Sequence, residues 1–406
     1  MIYLDDSATT QIDERVLKSM MPYFLEFYGN ASSTHSFGQK SKFAIDEARY
    51  TIARYINSTP QEIVFTSSGS ESISLALKGT AEYLAQIDGE FHPEHVYIIT
   101  SPMEHSAIIN TIGHLAALGY KNKLVSLDKI GRVIISSDKN SDLDTVTSSL
   151  ESILEEITHE DESAKIIVSV QYVNSETGTI QDISQISQLS HKYNAIVHTD
   201  AMQATKLLDI SINNLGVDLM TFAAHKIYGP IGVAALYIKA GSKISRQIDG
   251  GEQEYKIRAG TQNTPAIVGF GKSIEYLSIE RQERLEKISY LSSLFIEELQ
   301  KNISDIVILS EDVRMPSIIS VLFSNIKATE FLVRLDIAGI MASAGSACNS
   351  GSIQPTANLK YLGLTDLEIN SVIRFSIGKN NTKEEIYEAT KIISEEYIQY
   401  IRNRKN

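Results

Sequence analysis

The sequence predicts an α/β fold, with a mostly parallel sheet carrying helices on both faces and a smaller α+β region after it. Three observations predict it. Short β-branched runs alternate with stretches of helical period through the first 240 or so residues, the pattern of successive βαβ units. Ser70, His105, Ser175, Asp200 and Lys226 all fall just past expected strand ends, where ligands bind in open parallel sheets. After Arg258-Ala-Gly-Thr261 the alternation stops. A long mixed-charge helical stretch follows, and then strands and helices in no regular order.

Taken in order, residues 2–4 read as a short strand and Asp5 to Thr10 as a polar turn. Residues 15–27 and 40–56 have apolar positions at helical spacing, with a turn-rich loop at 28–35 between them. A strand at 62–66 runs through Ser67-Ser-Gly-Ser70 into a helix at 71–83. That junction aims free backbone N–H groups and the helix dipole at an anion, although many α/β loops look the same. A strand at 95–100, a helix at 108–118 and a strand at 123–127 follow. The acidic, serine-rich stretch 136–164 contains an amphipathic helix at 143–157, with solvated loops at 137–141 and 159–163. Strands are expected at 165–173, 195–199, 217–223 and 232–238, with a helix at 183–193. Beyond them come a helix from 264 to 301 broken once, strands at 306–309, 318–323 and 372–377, and helices at 329–336 and 383–401.

At 406 residues the chain is long for one core, so two domains are expected. A net charge of −13 argues against nucleic acid or an anionic membrane as the main partner, without excluding a basic protein. No run of about 18 apolar residues is present, and the first residues read as a strand, so a cytoplasmic protein is expected. With Cys348 as the one cysteine, neither an intramolecular disulfide nor a cysteine-based metal cluster can form.

Two stretches carry the chemistry. In TFAAHKIYGP a lysine, Lys226, follows an apolar run, and in HTDAMQ an aspartate, Asp200, ends the preceding strand. Pyridoxal phosphate chemistry needs that layout: an amine to form a Schiff base and a buried carboxylate to keep the ring nitrogen protonated. On spacing alone, a solvated loop lysine and a helix-capping aspartate are the commoner outcome, and the rest of the chain tips the balance toward chemistry. Cys348 lies in SAGSACNSGS, a run of small residues with no bulk to pack a core, so its thiol is expected to be accessible and chemical in role.

Together with YLDDSATT, YGNASSTHSFG, FTSSGSES, EHSAIINT, VNSETGTIQDI, RAGTQNTP and RFSIGKNN, these stretches resemble the cysteine desulfurases of the NifS/IscS type. Those enzymes lie in the class V aminotransferase group of pyridoxal-phosphate fold type I. The likeness runs through essentially the whole chain in family order, and the long loop around Cys348 is similar to that of the first desulfurase group. It implies a seven-stranded, mostly parallel sheet in a large domain at 16–262. An N-terminal segment, 1–15, would pack with a small α+β domain at 263–406 that carries a mobile Cys348 loop.

The resemblance also implies roles. Lys226 is the Schiff-base lysine, Asp200 the partner of the pyridinium nitrogen, and His105 the residue that stacks on the ring and moves protons. Gln203 bonds the ring's phenolic oxygen. Gly69, Ser70 and His225 hold phosphate, and Thr261 reaches the phosphate across a homodimer interface. Arg374 grips the substrate carboxylate with two parallel charge-assisted bonds, beside Asn30. Cys348 becomes a persulfide and needs no resident metal, though it is able to contact a nascent iron–sulfur cluster transiently. The implied activity turns L-cysteine into L-alanine and passes sulfur to an acceptor protein for iron–sulfur assembly or tRNA thiolation.

Two departures stand out. Ser175 replaces an asparagine usually near the phenolic oxygen, and Ala223 replaces a serine that usually bonds phosphate. Each lost bond to a charged group is worth about 1.5–3 kcal/mol, so weaker cofactor retention is expected. Other readings are a selenocysteine lyase or another class V aminotransferase or lyase, and a degenerate, non-catalytic subunit of a sulfur-transfer complex. The first needs no thiol for transamination, and the second rests only on Ser175 and Ala223.

Overall fold

The computed structural model describes residues 1–136, 148–345 and 357–405. Cys348 and residues 137–147 therefore lie outside the described residues.

The chain opens with β1 (Ile2–Tyr3), then a polar strap to Thr10, α1 (Glu14–Met20) and α2 (Pro22–Leu25). The single helix expected at 15–27 is two, because Pro22 has no N–H to continue the ladder. Next come α3 (Ser36–Tyr55), β2 (Ile63–Thr66) and α4 (Gly69–Ala85). A small hairpin, β3 (Gln86–Ile87) with β4 (Glu90–Phe91), precedes β5 (Val96–Thr100), α5 (Ser106–Ala117) and β6 (Lys121–Leu124). The amphipathic helix of the acidic stretch is α6 (Leu150–Glu160), which buries Leu150, Ile153, Leu154 and Ile157. It runs into the region expected as loop, ending at Asp161.

β7 (Lys165–Ser169) is shorter than the expected strand. Beyond it the chain is held irregularly, with Val170 and Tyr172 donating to the carbonyls of His198 and Asp200. α7 (Ile183–Lys192), β8 (Ile196–Asp200), α8 (Ile212–Leu215), β9 (Leu219–Ala223) and β10 (Ala234–Ile238) complete the regular alternation. Among the described residues the largest sheet has seven strands in the order β2-β10-β9-β8-β7-β5-β6. All its pairs are parallel except those of β10, which runs antiparallel to both neighbours. The strands from β2 to β9 that point the same way end on one side of the sheet, and their C-terminal turns meet there.

α9 (Thr264–Asn302) is one continuous helix, not the broken one expected. Its two halves serve two different cores, which explains why the apolar pattern changes without a break. Ala266, Ile267, Phe270, Ile274 and Leu277 join the core under the large sheet. Leu291, Leu294, Phe295 and Leu299 join a second core with β12 (Ile318–Phe323) and β14 (Val372–Ser376). In that second region β11 (Ile306–Ile308), β12 and β14 form an antiparallel sheet. α10 (Ala328–Ile337), β13 (Ile340–Met341), α11 (Asp366–Ile369) and α12 (Lys383–Lys405) complete the chain. β1 pairs in parallel with β13, and Ile2 and Leu4 lie in the second core, so the N-terminal strap is anchored there before it crosses to the large sheet.

Candidate active site

The strap, the ends of the parallel strands and β14 enclose a cavity of about 180 Å³. Ser70, His105, Ser175, Asp200, Gln203, His225, Lys226 and Arg374 line it, as does Gly69. Asn30 and Thr261 do not line it within one chain. Both are exposed, and the Asn30 side chain accepts from Ser32 N at 2.9 Å.

β9 ends at Ala223, and a single 3-10 turn, Ala224–Lys226, lifts His225 and Lys226 over the sheet edge. Lys226 Nζ donates to the carbonyls of Ser7 at 2.6 Å and Ala8 at 2.8 Å. Gln203 Nε2 donates to the same Ser7 carbonyl at 2.9 Å. His225 Nδ1 lies 3.2 Å from Thr9 Oγ1. Burial, with the nearby ammonium groups of Lys226 and Lys206, pushes the His225 imidazole down to about 4, so it is neutral at pH 7. The strap thus contacts Lys226, Gln203 and His225, and through Asp5 also Arg374. Its motif, DDSATT, read as a polar turn; its carbonyls carry no residue-type signal and escaped notice.

Asp200 sits at the end of β8, 6 % exposed, and accepts from Met202 N at 2.9 Å. Burial raises its carboxyl above the ordinary range, against the opposing pull of His105, the Met202 N–H and Lys226. A cationic ring nitrogen beside it would offset that burial cost. His105 caps α5, its Nδ1 accepting from Ala107 N at 3.1 Å, and it also lines the cavity. The capping and site readings of this histidine are compatible.

At the far wall, α4 begins with Ser68 as N-cap, whose Oγ accepts from Glu71 N at 3.1 Å. The first-turn N–H groups at Gly69 and Ser70 have no partner one turn back, and the helix dipole favours an anion there. A Cβ at Gly69 would come within 2.5 Å of Met202 Cε, so a larger residue there would have to displace the end of the Met202 side chain. Met202 packs with Ala223 and Ala234 in a small apolar cluster, so the position expected to lack a phosphate hydroxyl is filled by methyl groups.

Arg374, on β14 and 2 % exposed, donates from Nη1 to the Ser175 carbonyl at 2.9 Å and from Nη2 to Asp5 Oδ1 at 2.8 Å. Arg374 Nε and Ser7 Oγ are buried with no hydrogen-bond partner among the described residues. A helix N-terminus, a buried carboxylate, a lysine amine and an arginine with a donor to spare around one cavity fit pyridoxal phosphate carrying an amino acid.

The fold and this cavity define an α/β enzyme with an aldehyde-cofactor site, and comparison with known proteins agrees. The chain belongs to the class-V aminotransferase family, whose model matches residues 2–388, and its cofactor is pyridoxal phosphate. Within that family, curated relatives at 34–38% identity are named cysteine desulfurases. A protein of Dictyoglomus turgidum named cysteine desulfurase IscS is 36% identical over 386 residues, 95% of this chain and 91% of the relative. One of Bacillus subtilis, named putative cysteine desulfurase IscS 1, is 38% identical over 396 residues, 97% of this chain and 98% of the relative. Among solved structures, a NifS-like protein superposes with a TM-score of 0.85 at 32% identity, covering 97% of this chain and 98% of its own. Another, from Rickettsia africae, gives a TM-score of 0.83 at 30% identity over 98% and 99%.

Proposed function

We propose that the protein is a cysteine desulfurase that converts L-cysteine to L-alanine and carries the sulfur as a persulfide on Cys348. The observation that carries this reading is the convergence of Lys226, Asp200, His105 and Arg374 on one cavity in a chain whose relatives are named cysteine desulfurases.

Pyridoxal phosphate, when bound, supplies an electron sink for charge developing at the substrate Cα. Asp200 would pair with the ring nitrogen, Gln203 with the phenolic oxygen, and Gly69, Ser70 and His225 with the phosphate. Lys226 would be the attachment point, and its Nζ the group that takes the substrate Cα proton. Arg374 would hold the substrate carboxylate, and His105 would stack on the ring and take part in proton transfer. The Cys348 thiolate then attacks the substrate sulfur. Its carbon–sulfur bond breaks, the sulfur stays on Cys348, and the three-carbon remainder is protonated to alanine. Fixing the amino acid at both ends contributes about 7–11 kcal/mol by orientation at best.

The active species in this reading is a homodimer, with Thr261 reaching the partner's phosphate site. The exposure of Thr261, and of Leu25 at 70 %, Tyr28 at 70 % and Phe43 at 67 %, supports a covered face on this side. The persulfide is passed to an acceptor protein for iron–sulfur assembly or tRNA thiolation. The test is release of sulfide and alanine from L-cysteine by wild type, Lys226→Ala and Cys348→Ala. Equal yields from wild type and neither product as sulfide from the variants support the reading. Full activity in Cys348→Ala would favour a thiol-independent lyase or aminotransferase instead.

A further inference from the structure

Asp5 is the strap residue that touches Arg374, and its carboxylate is fixed from two sides. Oδ2 accepts from Ser343 Oγ at 2.8 Å, and the backbone bridges in parallel to Ser376 on β14. Oδ1 is left to accept from Arg374 Nη2 at 2.8 Å. The guanidinium has five N–H donors in a rigid plane. Asp5 and the Ser175 carbonyl take one each, on different nitrogens, and so fix the plane's orientation. The donors that remain, including the unpartnered Nε, are the ones a ligand can use.

We propose that Asp5 is a positioning residue that sets the selectivity of this cavity for ligands bearing an α-carboxylate. It does so by holding the Arg374 plane and by occupying one of its donors, so that a ligand gains the remaining donors without reorganising the arginine. A long, flexible side chain, buried with only a carbonyl to hold it, would otherwise have to be ordered at each binding event. The inference rests on the reading of Arg374 as the carboxylate clamp, not on desulfuration.

The test compares L-alanine with ethylamine, which differ only in the carboxylate, as ligands of the cofactor-loaded protein. Binding is followed by the change in cofactor absorbance. Wild type should prefer L-alanine. Asp5→Ala should lose about 10- to 100-fold of that preference, the loss of one charge-assisted bond and its ordering, through weaker L-alanine binding with ethylamine unchanged. Asp5→Asn should retain it, because the amide oxygen still accepts from Arg374 and the amide nitrogen donates to Ser343 Oγ. Three results overturn the proposal: equal weakening of both ligands in Asp5→Ala, an unchanged preference in that variant, or an Asp5→Asn protein that behaves like Asp5→Ala. Desulfuration enters none of these readouts. If Arg374→Ala leaves the wild-type preference intact, the clamp reading fails first and takes the inference with it; sulfide release is a separate assay.

Discussion

Glu104, next to His105, is buried, with no cation paired to it among the described residues. Its carboxyl accepts from Ser101 Oγ at 2.6 Å and from Gln171 N at 2.9 Å. Burial, with the charge of Asp200 nearby, pushes it up to about 8. A carboxyl raised in the folded state keeps its proton while the unfolded chain loses it, so stability falls as pH rises from about 4.5 to 8. Glu104→Gln mimics the protonated form: its amide oxygen can accept from Gln171 N while its amide nitrogen donates to Ser101 Oγ. It should flatten this fall and stabilise the protein at pH 8 by about 1 kcal/mol or more, read as the thermal midpoint against pH. A variant whose midpoint falls with pH as steeply as wild type would show that Asp200, not Glu104, dominates the slope. The residues found from sequence were those whose type announces chemistry: Lys226, Asp200, His105 and Arg374. Glu104 was hidden because a glutamate before a helix usually reads as a solvated first-turn acid, and nothing in its neighbours shows that the sheet covers it.

The strap, as an element, is tied down by a second pair that the sequence did not suggest. Lys206, fully buried, donates to the Asp6 carboxylate, and Tyr228 Oη donates to the same carboxylate at 3.1 Å. Lys379 N donates in turn to Tyr228 Oη at 2.7 Å, so the network joins strap, large sheet and second core. Removing one member of such a pair leaves a buried charge, at about 3–5 kcal/mol. Lys206→Met should therefore lower unfolding stability by that order in denaturant titration, and Asp6→Asn with Lys206→Met should recover most of it. Additive losses in the double variant would mean the two groups do not act as a pair. At the cavity's far wall, Ala223→Ser returns a hydroxyl beside Met202. It should slow cofactor loss on dialysis about tenfold or more; an unchanged rate would remove Ala223 as a cause of weak retention.

For the whole molecule, the alternation of strand and helix made the parallel sheet legible, because short continuous apolar runs such as Val96–Thr100 stand apart from longer helical-period stretches such as Ser106–Ala117. The antiparallel setting of β10 was not legible. A strand buried on both faces reads alike in either direction, and Ala234–Ile238 is wholly buried. Nor was the continuity of α9, since a helix that changes cores halfway changes its apolar face, which looks like a break. The shared-site reading makes assembly testable: mixing Lys226→Ala with a chain truncated in function at Thr261→Ala should alter cofactor retention only if the two exchange in dimers. Sedimentation at a single monomeric mass would contradict it.

The central claim is tested most directly by mass spectrometry of the cofactor-loaded protein after brief exposure to L-cysteine. The account predicts one added sulfur atom on the Cys348 peptide, removed by reductant, with an equivalent of alanine released and neither seen in Lys226→Ala. Alanine or sulfide formed while Cys348 stays unmodified and dispensable would contradict it.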